Sequence, residues 1–177
     1  EYGEGIAGMR NAFVAGQDPF QRFVVRGRAV IDHFIRQELA WPGRIAVSGT
    51  SRGGYMALRL MASDDRIAAG AGFAPVTDWR DLSEFEQDRN RDDVAALRLS
   101  CQSDALASRP VLMAIGNHDE RVNTESCCRL YLDLCDARRR NGRNTDSLAF
   151  YCTDDPGHSC AADLYRKGAD FLLEHLR

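Results

Sequence analysis

The chain has 177 residues, with Lys+Arg 23 against Asp+Glu 26, a size that fits one domain with a core needing no disulfide scaffold. A net charge of −3 excludes a nucleic-acid binder that works through a basic field. No apolar run approaches the roughly 20 residues of a membrane-spanning helix, and the composition excludes disorder, collagen and coiled coil.

Residues 1–18 are punctuated by Gly3, Gly5, Gly8 and Gly16 and read as a loop with at most a short helix. Glu1 follows neither an initiator Met nor an apolar leader. The start therefore reads as processed, trimmed or cut from something longer, and the compartment stays open with the cytoplasm favoured. From Pro19, Phe20, Phe23, Val24, Ile31, Phe34, Ile35 and Leu39 recur at helical spacing, until Trp41-Pro42-Gly43 ends the helix. Arg44–Ser48 is a short apolar strand, Tyr55–Ala62 a helix and Ile67–Phe73 a second strand. Residues 79–109 are polar, with a helical patch at Val94–Leu99. Val111–Ile115 is a third strand, Ser126–Arg140 an amphipathic helix, Leu148–Tyr151 a fourth strand, and Ala161–Leu176 a closing helix. Strands alternating with helices, and apolar without period-2 alternation, predict an α/β domain with a parallel sheet and helices on both faces.

Between the first strand and its helix stands Gly49-Thr50-Ser51-Arg52-Gly53, a G-x-S-x-G turn. Such a turn forces the serine into a strained backbone conformation and needs small flanking residues where strand and helix pass closely. It lifts the Ser51 hydroxyl out of the fold and makes the Arg52 amide an oxyanion donor. A Gly-rich turn with an idle serine is the plain alternative.

A serine nucleophile needs a base, and the base needs an orienting group. His33 lies within a helix and His175 in the last helical turn, where a cation suits the dipole. His118 and His158 follow strands, at the end of a parallel sheet where ligands collect. His158 is the better base, because a different loop can orient it. Asp119 is the better acid, with Asp78 and Glu120 as rivals; Asp154 and Asp155 sit too close to His158 in sequence and shape its turn. The chain order Ser51, Asp119, His158 is that of α/β-hydrolases.

The six cysteines, Cys101, Cys127, Cys128, Cys135, Cys152 and Cys160, lack the paired spacing of a zinc site, and no metal is expected. They read as reduced and mostly buried thiols, with a Cys152–Cys160 bridge across the His158 loop as the alternative.

Ile45 to Leu58 closely resembles the nucleophile elbow of α/β-hydrolases, nearest the prolyl-oligopeptidase-like and dienelactone-hydrolase-like branch. Phe73 to Trp79 is similar to the segment after that fold's sixth strand, Pro110 to Val122 to its acid loop, and Pro156-Gly157-His158 to its histidine loop. The resemblance implies Ser51 as nucleophile, His158 as general base and acid, Asp119 as its orienter, and no cofactor. It also implies four strands and an HG-type oxyanion loop ahead of the elbow helix. Neither is visible here, and the chain contains no His-Gly dipeptide. The sheet then begins at the family's fifth strand with an open apolar edge, to be closed by a preceding segment or by self-association.

The expected function is a serine hydrolase acting through an acyl-enzyme on a small-molecule ester. An amide is less favoured, for want of the propeller that gates prolyl-oligopeptidase relatives. Residues 79–109 would form a small cap or pocket wall, with Tyr55 at the substrate site and with Trp79 and Phe85 either lining it or serving as ordinary packing. The exposed Arg52 guanidinium could hold a substrate carboxylate, although solvation is its commoner fate. The contrasting reading is a non-catalytic hydrolase-like binding domain. A phosphate cradle lacks its G-x-x-x-x-G-K-[ST] signature.

Overall fold

A computed structural model describes residues 2–176. Its centre is a sheet of β1 (Ile45–Thr50), β2 (Ile67–Phe73), β3 (Val111–His118) and β4 (Leu148–Pro156), all parallel and in the order β1-β2-β3-β4. Residues alternate between the two faces, as the pleat requires. Val111, Met113 and Ile115 join the larger core, whereas Ala71, Phe73, Leu112 and Ala114 join a smaller one.

The larger core lies under α2 (Pro19–Arg36), α3 (Arg52–Ser63) and α6 (Thr124–Arg140). Here Phe20, Tyr55, Trp79 and Phe85 form edge-on and tilted aromatic contacts 4.8–5.8 Å apart. On the opposite face α7 (Ala162–Glu174) covers the smaller core through Leu164, Phe171 and Leu172. Gly168 lets α7 come down on the sheet, since a Cβ there would meet Phe73 Cζ at 2.4 Å. These strands and helices give the α/β architecture read from the sequence, with helices on both faces.

Several boundaries differ from expectation. Residues Gly5–Val14 form a ten-residue helix, α1, within the stretch read as a loop with at most a short helix. Ile6, Met9 and Phe13 lie at helical spacing and pack on the core, and Arg10 Nε donates to Asp88 Oδ2 at 2.5 Å. Contacts across 78 residues thus outweigh the low helix propensity of the glycines. Asp18 caps α2, accepting from the Phe20 and Gln21 amides at 2.9 Å, but α2 stops at Arg36. Glu38, at φ 55°, turns the chain away before Trp41-Pro42-Gly43 is reached. β4 runs on to Pro156 because Thr153 pairs with Gly116 beyond the apolar stretch.

Residues 79–109 fold as five short helical pieces: the 3-10 turns Trp79–Asp81, Ser83–Asp88 and Leu99–Gln102, with α4 (Asp92–Ala95) and α5 (Ser103–Ala107). Their Leu82, Phe85, Val94, Leu97, Leu99 and Leu106 are buried, so the segment extends the core over α3 and α6.

All six cysteines are free. Cys127 and Cys135 are buried, Cys128 and Cys160 half-buried, and Cys101 and Cys152 exposed, fewer buried than expected. Cys152 and Cys160 are not joined; the Cys160 thiol is directed to the Ala114 carbonyl at 3.6 Å. Among the described residues no helix is long and apolar enough to cross a membrane.

Among the described residues β1 has a partner on one side only. Beside that open edge α2 presents Phe23, Val30 and Phe34, each 41–54% exposed, on the face turned from the core.

Candidate active site

β1 delivers its chain to Ser51 in a left-handed conformation, φ 55° and ψ −123°. For a side chain with a Cβ this costs on the order of 1–3 kcal/mol, and surrounding contacts must hold it. The Ser51 amide donates to the Phe73 carbonyl at 2.8 Å, and the Ser51 carbonyl accepts from Val76 at 3.1 Å and Tyr55 at 3.2 Å. The small residues around it are sterically required. A Cβ on Gly49 would lie 2.3 Å from the Gly53 backbone, and one on Gly54 2.9 Å from Pro75 Cβ.

β3 and β4 supply the other two groups. The register slips between Gly116 and His118, which lets the chain after β3 peel away from the ladder. Gly116 allows this crossing, since a Cβ there would meet the Asp155 carbonyl at 2.6 Å. Asp119 follows, with its side chain fully buried. Its Oδ1 accepts from the Arg121 amide at 3.0 Å and the Val122 amide at 3.1 Å. Its Oδ2 lies 2.8 Å from His158 Nδ1, and His158 Nε2 lies 2.9 Å from Ser51 Oγ. With Nδ1–H donating to the carboxylate, Nε2 is left to accept the serine proton, a tautomer assigned from the acceptor-only nature of the carboxylate.

The acid loop is held from outside as well. Thr124 Oγ1 accepts the Asp119 amide at 3.1 Å and donates to the Gly116 carbonyl at 2.6 Å. Arg121 Nη2 donates to Glu84 Oε1 at 2.6 Å, and that bond holds the Glu84 carboxyl below its ordinary range. Asn123, the N-cap of α6, donates to Asp81, whose carboxyl is raised mainly by burial. Thr124 and Glu84 were not singled out from the sequence. The usable signal for Thr124 was its place beside an Asn N-cap, five residues beyond the acid.

The rival residues lie elsewhere or are engaged. Asp78 is bound twice by Arg80 Nε, at 2.9 and 3.1 Å, and Glu120 is exposed. His118 is exposed at the end of β3, His33 stacks edge-on with Phe34, and His175 with Phe171. Asp154 accepts from Asn117 and Asp155 from Thr153, so both shape the loop.

The Arg52 amide opens α3, where an N–H has no partner within the helix. Its guanidinium is exposed, with Met9 Sδ 3.8 Å from Nη1. Tyr55 and Trp79 require a correction. Both are 0% exposed, and Tyr55 donates to the Leu97 carbonyl at 2.7 Å, so they are core residues with no face for a substrate. Phe85 is buried with them. Behind the elbow a groove of about 850 Å³ runs along β1, lined by Arg22, Phe23, Arg26, Arg52, Met56 and Leu60 among others but by neither Ser51 nor His158. Among the described residues no cluster of His, Cys, Asp or Glu converges as a metal site.

A parallel sheet with a strained serine turn and a histidine and acid at neighbouring strand ends defines an α/β-hydrolase fold, and solved structures agree. Pyrococcus horikoshii acylaminoacyl peptidase superposes with a TM-score of 0.74 at 16% identity, over 97% of this chain and 30% of its own. A cold-adapted esterase from an Arctic intertidal metagenomic library gives 0.66 at 20% identity, over 97% of this chain and 65% of its own. A probable dipeptidyl-aminopeptidase B from Metarhizium robertsii is 30% identical over an alignment 117 positions long that covers 60% of this chain and 13% of that protein. Residues 16–177 match the prolyl oligopeptidase family, and the chain belongs to that family of serine hydrolases. It spans about an eighth of the curated relative and about a quarter to a third of the acylaminoacyl peptidase chains.

Proposed function

We propose that the chain carries the reacting centre of a serine hydrolase that cleaves a carboxylic ester through an acyl-enzyme, on a triad of Ser51, His158 and Asp119. The observation that carries this reading is the continuous relay, 2.9 Å from Ser51 Oγ to His158 Nε2 and 2.8 Å from His158 Nδ1 to Asp119 Oδ2. In the first half-reaction His158 takes the proton of Ser51 Oγ as that oxygen attacks the acyl carbonyl. The resulting imidazolium is stabilised by the buried Asp119 carboxylate. The Arg52 amide, with the positive end of α3 behind it, donates to the oxyanion. His158 then protonates the leaving alcohol. In the second half-reaction water, deprotonated by His158, releases the acid and restores Ser51.

One amide is a thin oxyanion hole, and losing a second donor typically costs about 10²–10³ in rate. The resemblance puts that donor on an HG-type loop after the family's third strand, ahead of the elbow helix. The substrate class is a small ester, with no nucleic acid or membrane partner and no cofactor. An esterase and peptidases both share this fold, and an amide is the less favoured substrate in this reading. The contrasting reading, a binding domain, draws on the unpaired β1 edge and the exposed apolar residues of α2.

Fluorophosphonate labelling read by mass spectrometry separates the two. An adduct at Ser51 that disappears in His158→Ala supports the hydrolase. Absence of adduct, with no turnover of short acyl esters above a Ser51→Ala control, overturns it.

A further inference from the structure

Tyr131 of α6 stacks on Phe150 of β4, with ring centroids 5.2 Å apart and planes inclined by 26°. This contact fixes the rotation of the helix against the strand. Because α6 is the return from β3 and β4 is parallel to β3, helix and strand run in opposite directions. One turn before Tyr131, the same helix face carries Cys128. Two residues after Phe150, the same strand face carries Cys152. The first step is about 4.5 Å along the helix and the second about 6.6 Å along the strand, in the same direction in space. The two thiols therefore come to lie toward one another across the contact of α6 with β4.

Their surroundings distinguish this pair from the other cysteines. Cys152 is exposed and Cys128 half-buried, so a small reagent has access from one side. Cys127 and Cys135 are buried in the core, and Cys160 is turned to the Ala114 carbonyl. The Cys128 thiol is pushed up, first by burial and then by the charge of Cys152.

We propose that Cys128 and Cys152 are a modification site, a dithiol that a small disulfide oxidant closes into a bridge between α6 and β4. The exposed Cys152 thiolate attacks one sulfur of the oxidant and releases one reduced thiol. The Cys128 thiolate then attacks the Cys152 sulfur of the mixed disulfide and releases the second. Two electrons and the two thiol protons leave the protein, and the oxidant is reduced to two thiols. Burial of Cys128 makes the second step slow at neutral pH and faster as pH rises. The bridge joins the element that follows Asp119 to the strand that precedes His158, and it ties the chain between residues 128 and 152 into a loop.

The test incubates the whole chain with oxidised glutathione at pH 8 and reads intact mass, a non-reducing peptide map and Tm, none of which depends on hydrolysis. The expected product has lost two hydrogens, carries a Cys128–Cys152 crosslink, and melts several degrees higher until dithiothreitol reverses the change. Cys128→Ser should stop at a stable glutathione adduct on Cys152. The proposal is overturned if the wild-type chain keeps that adduct without closing, or if Cys152 links to a different cysteine such as Cys160.

Discussion

The Thr124 hydroxyl and the Asp119 amide close the acid loop on itself at 3.1 Å, and the same hydroxyl reaches back to the Gly116 carbonyl at 2.6 Å. Thr124 touches no reacting atom; it positions the carboxylate. Thr124→Val removes both bonds at nearly constant volume, a loss of about 1 kcal/mol each. Part of that loss should be felt at His158, lowering kcat by roughly tenfold with KM little changed. Thr124→Ser should restore most of the rate, which a purely steric role for the methyl group would not allow.

Asp119→Asn keeps the shape of the acid but removes its charge. Its amide would favour the wrong imidazole tautomer, and kcat should fall by about 10⁴ while far-ultraviolet circular dichroism stays unchanged. A fall of less than tenfold would show that Asp119 is not the orienting acid.

Gly49→Ala sets a methyl group 2.3 Å from the backbone of Gly53. Backbone cannot yield as a flexible side chain can, so the elbow cannot close around Ser51. The variant should be recovered misfolded, or with Tm lowered by more than 10 °C, in contrast to Gly53→Ala, where a Cβ meets nothing within 4 Å.

Tyr55→Phe tests the reassignment of that ring to the core. Burial pushes the phenol up to about 12, so it stays neutral and donates to the Leu97 carbonyl while accepting from Arg59. Losing the hydroxyl should cost about 1 kcal/mol, or roughly 2–4 °C in Tm for a chain of this size. KM for ester substrates should not change; a severalfold rise would return Tyr55 to the substrate site.

Asp64 links stability to pH. Arg66 donates to it at 2.6 and 2.8 Å, and that pairing holds the carboxyl below its ordinary range. A folded value below the unfolded one means the contribution is complete above about pH 4 and fades as pH drops through the folded value. Asp64→Asn should lower the urea stability by about 1–3 kcal/mol at pH 7. At pH 2.5 the two proteins should differ by much less.

The parallel sheet was legible because its strands are short apolar runs set between polar or turn-forming residues, as Ile67–Phe73 lies between Asp64-Asp65-Arg66 and Ala74-Pro75. Ser51, Asp119 and His158 could be picked out because each follows a strand in the required order, and one serine turn leaves few partners to choose from. α1 was not legible, since its helix is decided by Ile6, Met9 and Phe13 packing on residues far along the chain. The segment after β2 misled in the other direction. Its charges suggest a surface wall, yet Trp79 and Phe85 alternate with those charges and point into the core. Local spacing cannot tell an aromatic that meets a substrate from one that meets Phe20, because that depends on where α2 docks.

The three relay residues do not share one mechanical environment. Among the described residues Asp119 leaves an inner strand, whereas Ser51 and His158 leave the two outer ones. Amide exchange should therefore be slowest in β2 and β3 and faster toward both margins. Transient fraying of β4 would uncouple the base from both of its neighbours while the serine turn stayed formed. Loosening of β1 would free the nucleophile and leave the histidine–carboxylate contact intact. The relay thus has two independent ways to open, each reported by the exchange of a different strand.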